Sequence, residues 1–162
     1  MKIILKNQMK LITILFGALF ICAASIGVTF AQSGHFVGTQ ICTDAGTTLV
    51  CQGKVAGLGG TTFQINVQAI GTAVIECENP GGNVAPGQDT EVTILGSSGP
   101  LSTPRNGNYR YTISTTTPTV PNVPTCPNNK WTANVIDVTF RDATITLLED
   151  NVIADQITVP VQ

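Results

Sequence analysis

The chain has 162 residues, 43% of them hydrophobic and only 11% charged, with eight Lys and Arg against ten Asp and Glu and one histidine. So sparse and acidic a charge set excludes the basic footprint of a nucleic-acid binder or of a protein held on an anionic membrane surface. A single histidine also leaves little from which to build a His-based catalytic triad or a His-rich metal site.

Met1 to Lys10 contains Lys2, Lys6 and Lys10 and no acid, and an apolar run with Gly, Ala and Ser follows from Leu11 to about Val28. This order is the n-region and h-region of a secretory signal, with Thr29-Phe30-Ala31 as the expected cleavage site. The reading gives a leader over 1–31 and a mature domain over 32–162. The apolar run is also long enough to serve as a retained anchor. Cys22 does not make a lipoprotein site, because Leu19-Phe20-Ile21 puts bulky residues where small ones are needed. Removing the leader leaves Lys54, Lys130, Arg105, Arg110 and Arg141 against all ten acids. A domain of this length buries roughly two-thirds of its unfolded surface in one core.

Without Cys22 the cysteines form an even set, Cys42, Cys51, Cys77 and Cys126, as expected of an exported, disulfide-bonded domain. The stretch TDAGTTLV between the first two reads as a hairpin with a type II′ turn at Gly46-Thr47. Counting outward from that turn sets Cys42 opposite Cys51 at a non-hydrogen-bonded pair, where Cα atoms approach to about 4.5 Å. Cys77–Cys126 follows by subtraction, and its longer loop makes it the more stabilising bridge, by about 3–4 kcal/mol in the chain-entropy model.

The mature chain is rich in Thr, Val and Ile and poor in Leu, Lys and Glu, and no long window shows a capped 3.6-residue period. Expected strands run from His35 to Cys42, Thr48 to Gly57, Thr62 to Cys77, Thr90 to Gly96, Asn108 to Thr115, Trp131 to Phe140, Ala143 to Glu149 and Val152 to Val161. In the third, Phe63, Ile65, Val67 and Ala69 share one face and Gln64, Asn66 and Gln68 the other. The same parity resumes at Ala73, Ile75 and Cys77, so Gly71 marks a bend. Ile136, Val138 and Phe140 face one way, and Ala143, Ile145 and Leu147 take the opposite parity after a turn or bulge at Arg141-Asp142. The last two strands form a hairpin about Glu149-Asp150-Asn151, with Pro160 suited to an edge strand. Between Ser114 and Lys130, four prolines predict an extended crossover pinned by Cys126; an O-glycosylated stalk is the alternative. The pattern predicts one all-β domain, an antiparallel, immunoglobulin-like β-sandwich of about seven to eight strands, disulfide-stapled. Trp131 lacks the Cys-Trp-Cys arrangement of true immunoglobulin domains.

Few residues suggest chemistry. His35 has no nucleophile elbow near it and reads as an exposed strand start. Glu76 and Glu78 flank Cys77 and share one strand face, which reads as a solvated strand end, whereas a glycosidase needs its two carboxylates across a cleft from one another. With Asn79 and Asn83 they are weak calcium candidates, because the D-x-D-x-D spacing is missing. The loop Asn79, Pro80, Gly81, Gly82 and Asn83 lacks the lysine and hydroxyl of a phosphate cradle; Pro80-Gly81 and Pro86-Gly87 each predict a type II turn. Loops of this kind at a sheet end can carry recognition. Tyr109 and Tyr111 share a strand face, which exposed could stack on sugar rings and buried would be core; the neighbouring Ile113 favours core.

The segments HFVG, GKVAGLG and CENPGG together resemble a family of small secreted microbial β-sandwich proteins, over roughly the first half of the mature chain. The resemblance implies secretion and this fold and transfers no catalytic residue and no activity. The expectation is therefore a secreted or cell-surface, non-catalytic structural or binding module without cofactor or metal. Its partner would be an extracellular protein or a glycan, not nucleic acid and, once the leader is cleaved, not a membrane. Carbohydrate binding through the end loops with Tyr109 and Tyr111 is one form of this. Another is self-association by strand addition along 152–161.

Overall fold

A computed structural model describes residues 34–162, so the expected leader lies outside the described residues. Ten strands make two antiparallel sheets. They are β1 (His35–Phe36), β2 (Ile41–Asp44), β3 (Leu49–Ala56), β4 (Thr62–Glu78), β5 (Val84–Pro86), β6 (Thr90–Ser97), β7 (Leu101–Ser102), β8 (Tyr109–Ser114), β9 (Thr132–Glu149) and β10 (Val152–Pro160). In the smaller sheet β3 has β8 on one side and β2 then β1 on the other. In the larger, β4 pairs with β9 along its whole length, while β7, β6 and β5 share its other side in turn and β10 lies outside β9.

Alternation explains this arrangement. Phe63, Ile65, Val67, Ala69, Ala73, Ile75 and Cys77 are all buried, so β4 keeps one apolar face over 17 residues. Leu49 and Val55 on β3, Tyr111 and Ile113 on β8, and Val138, Ile145 and Leu147 on β9 join the same apolar cluster, so both sheets feed one core. Burial of this kind is worth about 1.5–3 kcal/mol per large apolar side chain. Main-chain bonds join the sheets at both margins. The Thr116 amide donates to the Leu95 carbonyl at 3.0 Å, and the Gln162 amide to the Cys42 carbonyl at 2.9 Å.

Both expected bridges are present, Cys42–Cys51 with 4.1 Å between Cα atoms and Cys77–Cys126 with 5.8 Å. The register Cys42 to Cys51, Thr43 to Val50 and Asp44 to Leu49 is the one the turn count gives, and Gly46 has the positive φ of +82° that its turn position needs. The Cys42 carbonyl bonds Gln162, away from β3, as a non-hydrogen-bonded pair requires.

Four sequence expectations change. The strand count rises to ten because β5 and β7 are short segments organised by β4, and because the first expected strand breaks at Val37–Gln40. The sixth and seventh expected strands are one, β9. It stays continuous through Arg141-Asp142, where the register moves from Ala69 with Ala143 to Gly71 with Phe140, a bulge rather than a turn. A second bulge moves the register from Val74 with Asp137 to Ile75 with Val135. It throws Ile136 to the surface, 53% exposed, where simple parity had placed it inward. Finally, neither proline-glycine pair makes a type II turn, since Gly81 and Gly87 are not at positive φ. Instead Gly82 takes φ +77° and its amide bonds the Asn79 carbonyl at 2.9 Å, giving a type I turn closed by a left-handed glycine. The hairpin at Asp150-Asn151 is as expected, with φ of 46° and 67° in a two-residue turn between Glu149 and Val152.

Candidate functional site

The Asn79–Asn83 tip spends its polar groups on itself. The Asn79 Oδ1 accepts from the amides of Gly81 and Asn83 at 2.9 and 3.0 Å, an arrangement that fixes the loop without a ligand. Glu76 and Glu78 project beside it, Glu78 exposed and Glu76 half-buried. Among the described residues no group of three or more His, Cys, Asp or Glu side chains converges as a metal set would. His35 is exposed on β1, away from these residues in the fold.

The tyrosines face inward. Tyr111 is 4% exposed, and its ring meets Phe36 edge to face at 6.2 Å. Its hydroxyl donates to the Gln40 Oε1 at 2.8 Å. Burial pushes the Tyr111 phenol up to about 12. Tyr109 is half-buried with its ring 5.0 Å from that of Phe63. Tyr111 therefore belongs to the core, and Tyr109, partly buried, packs against it. Trp131 likewise packs against the core.

What the fold presents instead is the outer face of the larger sheet. Register aligns Gln156, Thr146, Asn66 and Ser97 in one row across β10, β9, β4 and β6, and Thr158, Thr144, Gln68 and Leu95 in the next. The rows are ordered internally. Gln64 Nε2 donates to Asn66 Oδ1 at 2.7 Å, the Ser97 hydroxyl donates to the same oxygen at 2.8 Å, and Gln156 Nε2 donates to the Thr146 hydroxyl at 3.0 Å. Two open clefts cross this face. One, of about 760 Å³, lies between Gln68, Glu91, Arg141, Asp142 and Gln156; the bulge in β9 places Arg141 and Asp142 at its rim. The other, of about 710 Å³, has Asn66, Gln68 and Thr146 with Leu95, Leu148 and Ile153 around them. Uncharged amides and hydroxyls beside aliphatic patches can take a hydroxyl-rich ligand by hydrogen bonds in both senses. The alternation of β4 names its polar side chains in the sequence, but their alignment across four strands appears only once register is known.

A second feature escaped the sequence reading. Glu149 is 0% exposed, and its carboxylate accepts from the amides of Gly59 at 2.7 Å, Gly60 at 3.1 Å and Gly34 at 3.1 Å. The next residue, Asp150, accepts from the amides of Thr61 and Thr62 and from the Thr62 hydroxyl. Backbone donation by Thr62 and then Thr61 lowers the Asp150 carboxyl below its ordinary value of 3.8. The two acids together hold the Gly59–Thr62 loop against the β9–β10 hairpin. The signal was present in parity, since Glu149 follows Ala143, Ile145 and Leu147 on the inward face. A Cβ at Gly34 would lie 2.9 Å from the Glu149 side chain, and one at Gly60 2.8 Å from that of Asp150, so glycine is what lets these amides approach.

Compared with protein families, with characterised proteins and with solved structures, the chain matches none. No helix among the described residues is long and apolar enough to cross a membrane.

Proposed function

We propose that this protein is a secreted or cell-surface, non-catalytic binding module, an immunoglobulin-like sandwich whose contact surface is the outer face of the larger sheet. Its ligand is a neutral, hydroxyl-rich glycan. The observation that carries this reading is the pair of cross-strand rows centred on Asn66 with Thr146 and Gln68 with Thr144. They set uncharged donors and acceptors at strand spacing on a rigid surface, with a side-chain order that exists before a ligand arrives. The two disulfides and the resemblance of the HFVG, GKVAGLG and CENPGG segments to small secreted proteins support export.

The test is retention of the mature domain on insoluble cellulose and chitin and on immobilised xylan. Q68A/T146A is expected to lose retention on the polysaccharide that holds the wild type, with unchanged melting temperature and no release of reducing ends by either protein. Wild-type protein that passes through all three matrices, or a variant retained as well as the wild type, would overturn the assignment.

Strand addition along β10 is the second reading, favoured by Val152 and Ile153, 56% and 62% exposed at the hairpin tip. Two features oppose it: the bulge between Ile153 and Asp155, and the pairing of Val161 and Gln162 with β2, both of which blunt an edge.

A further inference from the structure

The outer face of the smaller sheet carries an unusual juxtaposition. Lys54 on β3 and Arg110 on β8 are directly opposite partners in the register. Like charges in that position weaken a strand pair. Their chain neighbours Val55 and Tyr111 point into the core, so both cations point outward, Lys54 half-buried and Arg110 exposed. Neither is joined to a carboxylate among the described residues. A cleft of about 410 Å³ opens over them, lined also by Thr39, Gln52 and Thr112 and by no acid. That is notable in a domain whose ten acids outnumber its cations two to one. The protein has thus placed two of the five cations of its mature chain side by side where its own carboxylates do not reach them.

We propose that Lys54 and Arg110 form an anion site, separate from the face described above, that takes carboxylate or sulfate groups of an acidic polysaccharide. The guanidinium offers a planar two-pronged donor and the ammonium a compact charge, so one carboxylate or sulfate can be held between them. Gln52 and Thr112, the adjacent cross-strand pair, supply an amide and a hydroxyl for neighbouring sugar hydroxyls. Two cations flanked by uncharged polar groups suit a ligand of sparse charge and many hydroxyls. A nucleic acid, charged at every phosphate, would meet the acidic remainder of the domain.

Calorimetry of the mature domain against polygalacturonate, dextran sulfate, uncharged dextran and single-stranded DNA tests this. The wild type is expected to bind one or both polyanionic glycans, to ignore dextran, and to release the polyanion by about 0.5 M NaCl, where screening shortens to a few ångström. K54Q/R110Q should weaken binding at least tenfold, K54R/R110K should keep it, and K130Q, which removes a cation elsewhere, should leave it unchanged. If the double substitution prevents folding, Arg110→Gln alone at its exposed position carries the same expectation, with a loss of threefold or more. No binding to either polyanion, dextran binding that K54Q/R110Q weakens as much as polyanion binding, tighter binding to DNA, or equal loss in K130Q would each overturn the proposal. Dextran binding that K54Q/R110Q keeps and Q68A/T146A loses is assigned instead to the outer face of the larger sheet, and the polyanion outcomes leave Gln68 and Thr146 untouched.

Discussion

Asp150 shows how much one exposed side chain can organise. Its carboxylate holds two consecutive amides of the loop before β4, and those bonds favour the ionised form. The folded-state value therefore lies below the unfolded one, and below pH 4 the unfolded chain binds more protons than the folded one. The stabilisation is complete above the unfolded value of 3.8 and is lost as pH falls through the lowered folded value. An Asp150→Asn variant should therefore show a flatter acid limb in stability against pH, with its largest deficit near neutrality, read from urea midpoints at successive pH values. A limb as steep as that of the wild type would show that other carboxylates set the acid response. Glu149 acts by burial instead. Its removal would strand amides in and beside the core, each worth about 1–3 kcal/mol when left unpaired.

At the scale of elements, β4 and β9 decide the fold. Two long strands that twist together must shed strain, and β9 does so through its two bulges while β4 stays regular. Gly71 sits opposite the first bulge, where an added Cβ would lie 2.6 Å from Val138 and 2.7 Å from Phe140. Gly71→Ala is therefore expected to cost about 1–3 kcal/mol by overpacking, measured as a lower denaturant midpoint at unchanged slope. Much of this level was legible in the sequence. The alternation from Phe63 to Cys77 and the turn count from Cys42 to Cys51 each depend on local chemistry that strands cannot evade. Ile136 was misplaced because a bulge resets parity without a glycine or proline to announce it. β5 and β7 were missed because segments of two or three residues carry no period of their own. The polar rows proposed as a binding face lay beyond reach for a related reason: Asn66 and Thr146 are 80 positions apart in the chain, and only pairing makes them neighbours.

For the whole molecule, stability rests on a core shared by two sheets and on two bridges that act at different ranges. Cys42–Cys51 closes a loop with a sequence separation of 9, and Cys77–Cys126 one of 49. In the chain-entropy model these are worth about 3 and about 4 kcal/mol. The double variant C77A/C126A should thus melt below C42A/C51A, with both below the wild type in calorimetry. The reverse order would mean that the short bridge, at the junction of β2, β3 and the C-terminal residues, constrains the native sheet itself. The Cys77 bridge also fixes the proline-rich crossover, whose Thr125 carbonyl accepts the Gln88 amide at 3.0 Å, so its loss should loosen β5 and that segment together.

The closing contact of Val161 and Gln162 on β2 has a mechanical side. Val161 meets Cys42 as a parallel neighbour, and the Gln162 carbonyl accepts the Asp44 amide. A pull that tethers the chain at its start and loads it at its end would draw these two segments along one another. Their bonds would be strained together in shear instead of opening singly, and the Cys42 bridge would pass the force on to β3. In a domain loaded between its two ends, that is where a pull on Gln162 would first be felt.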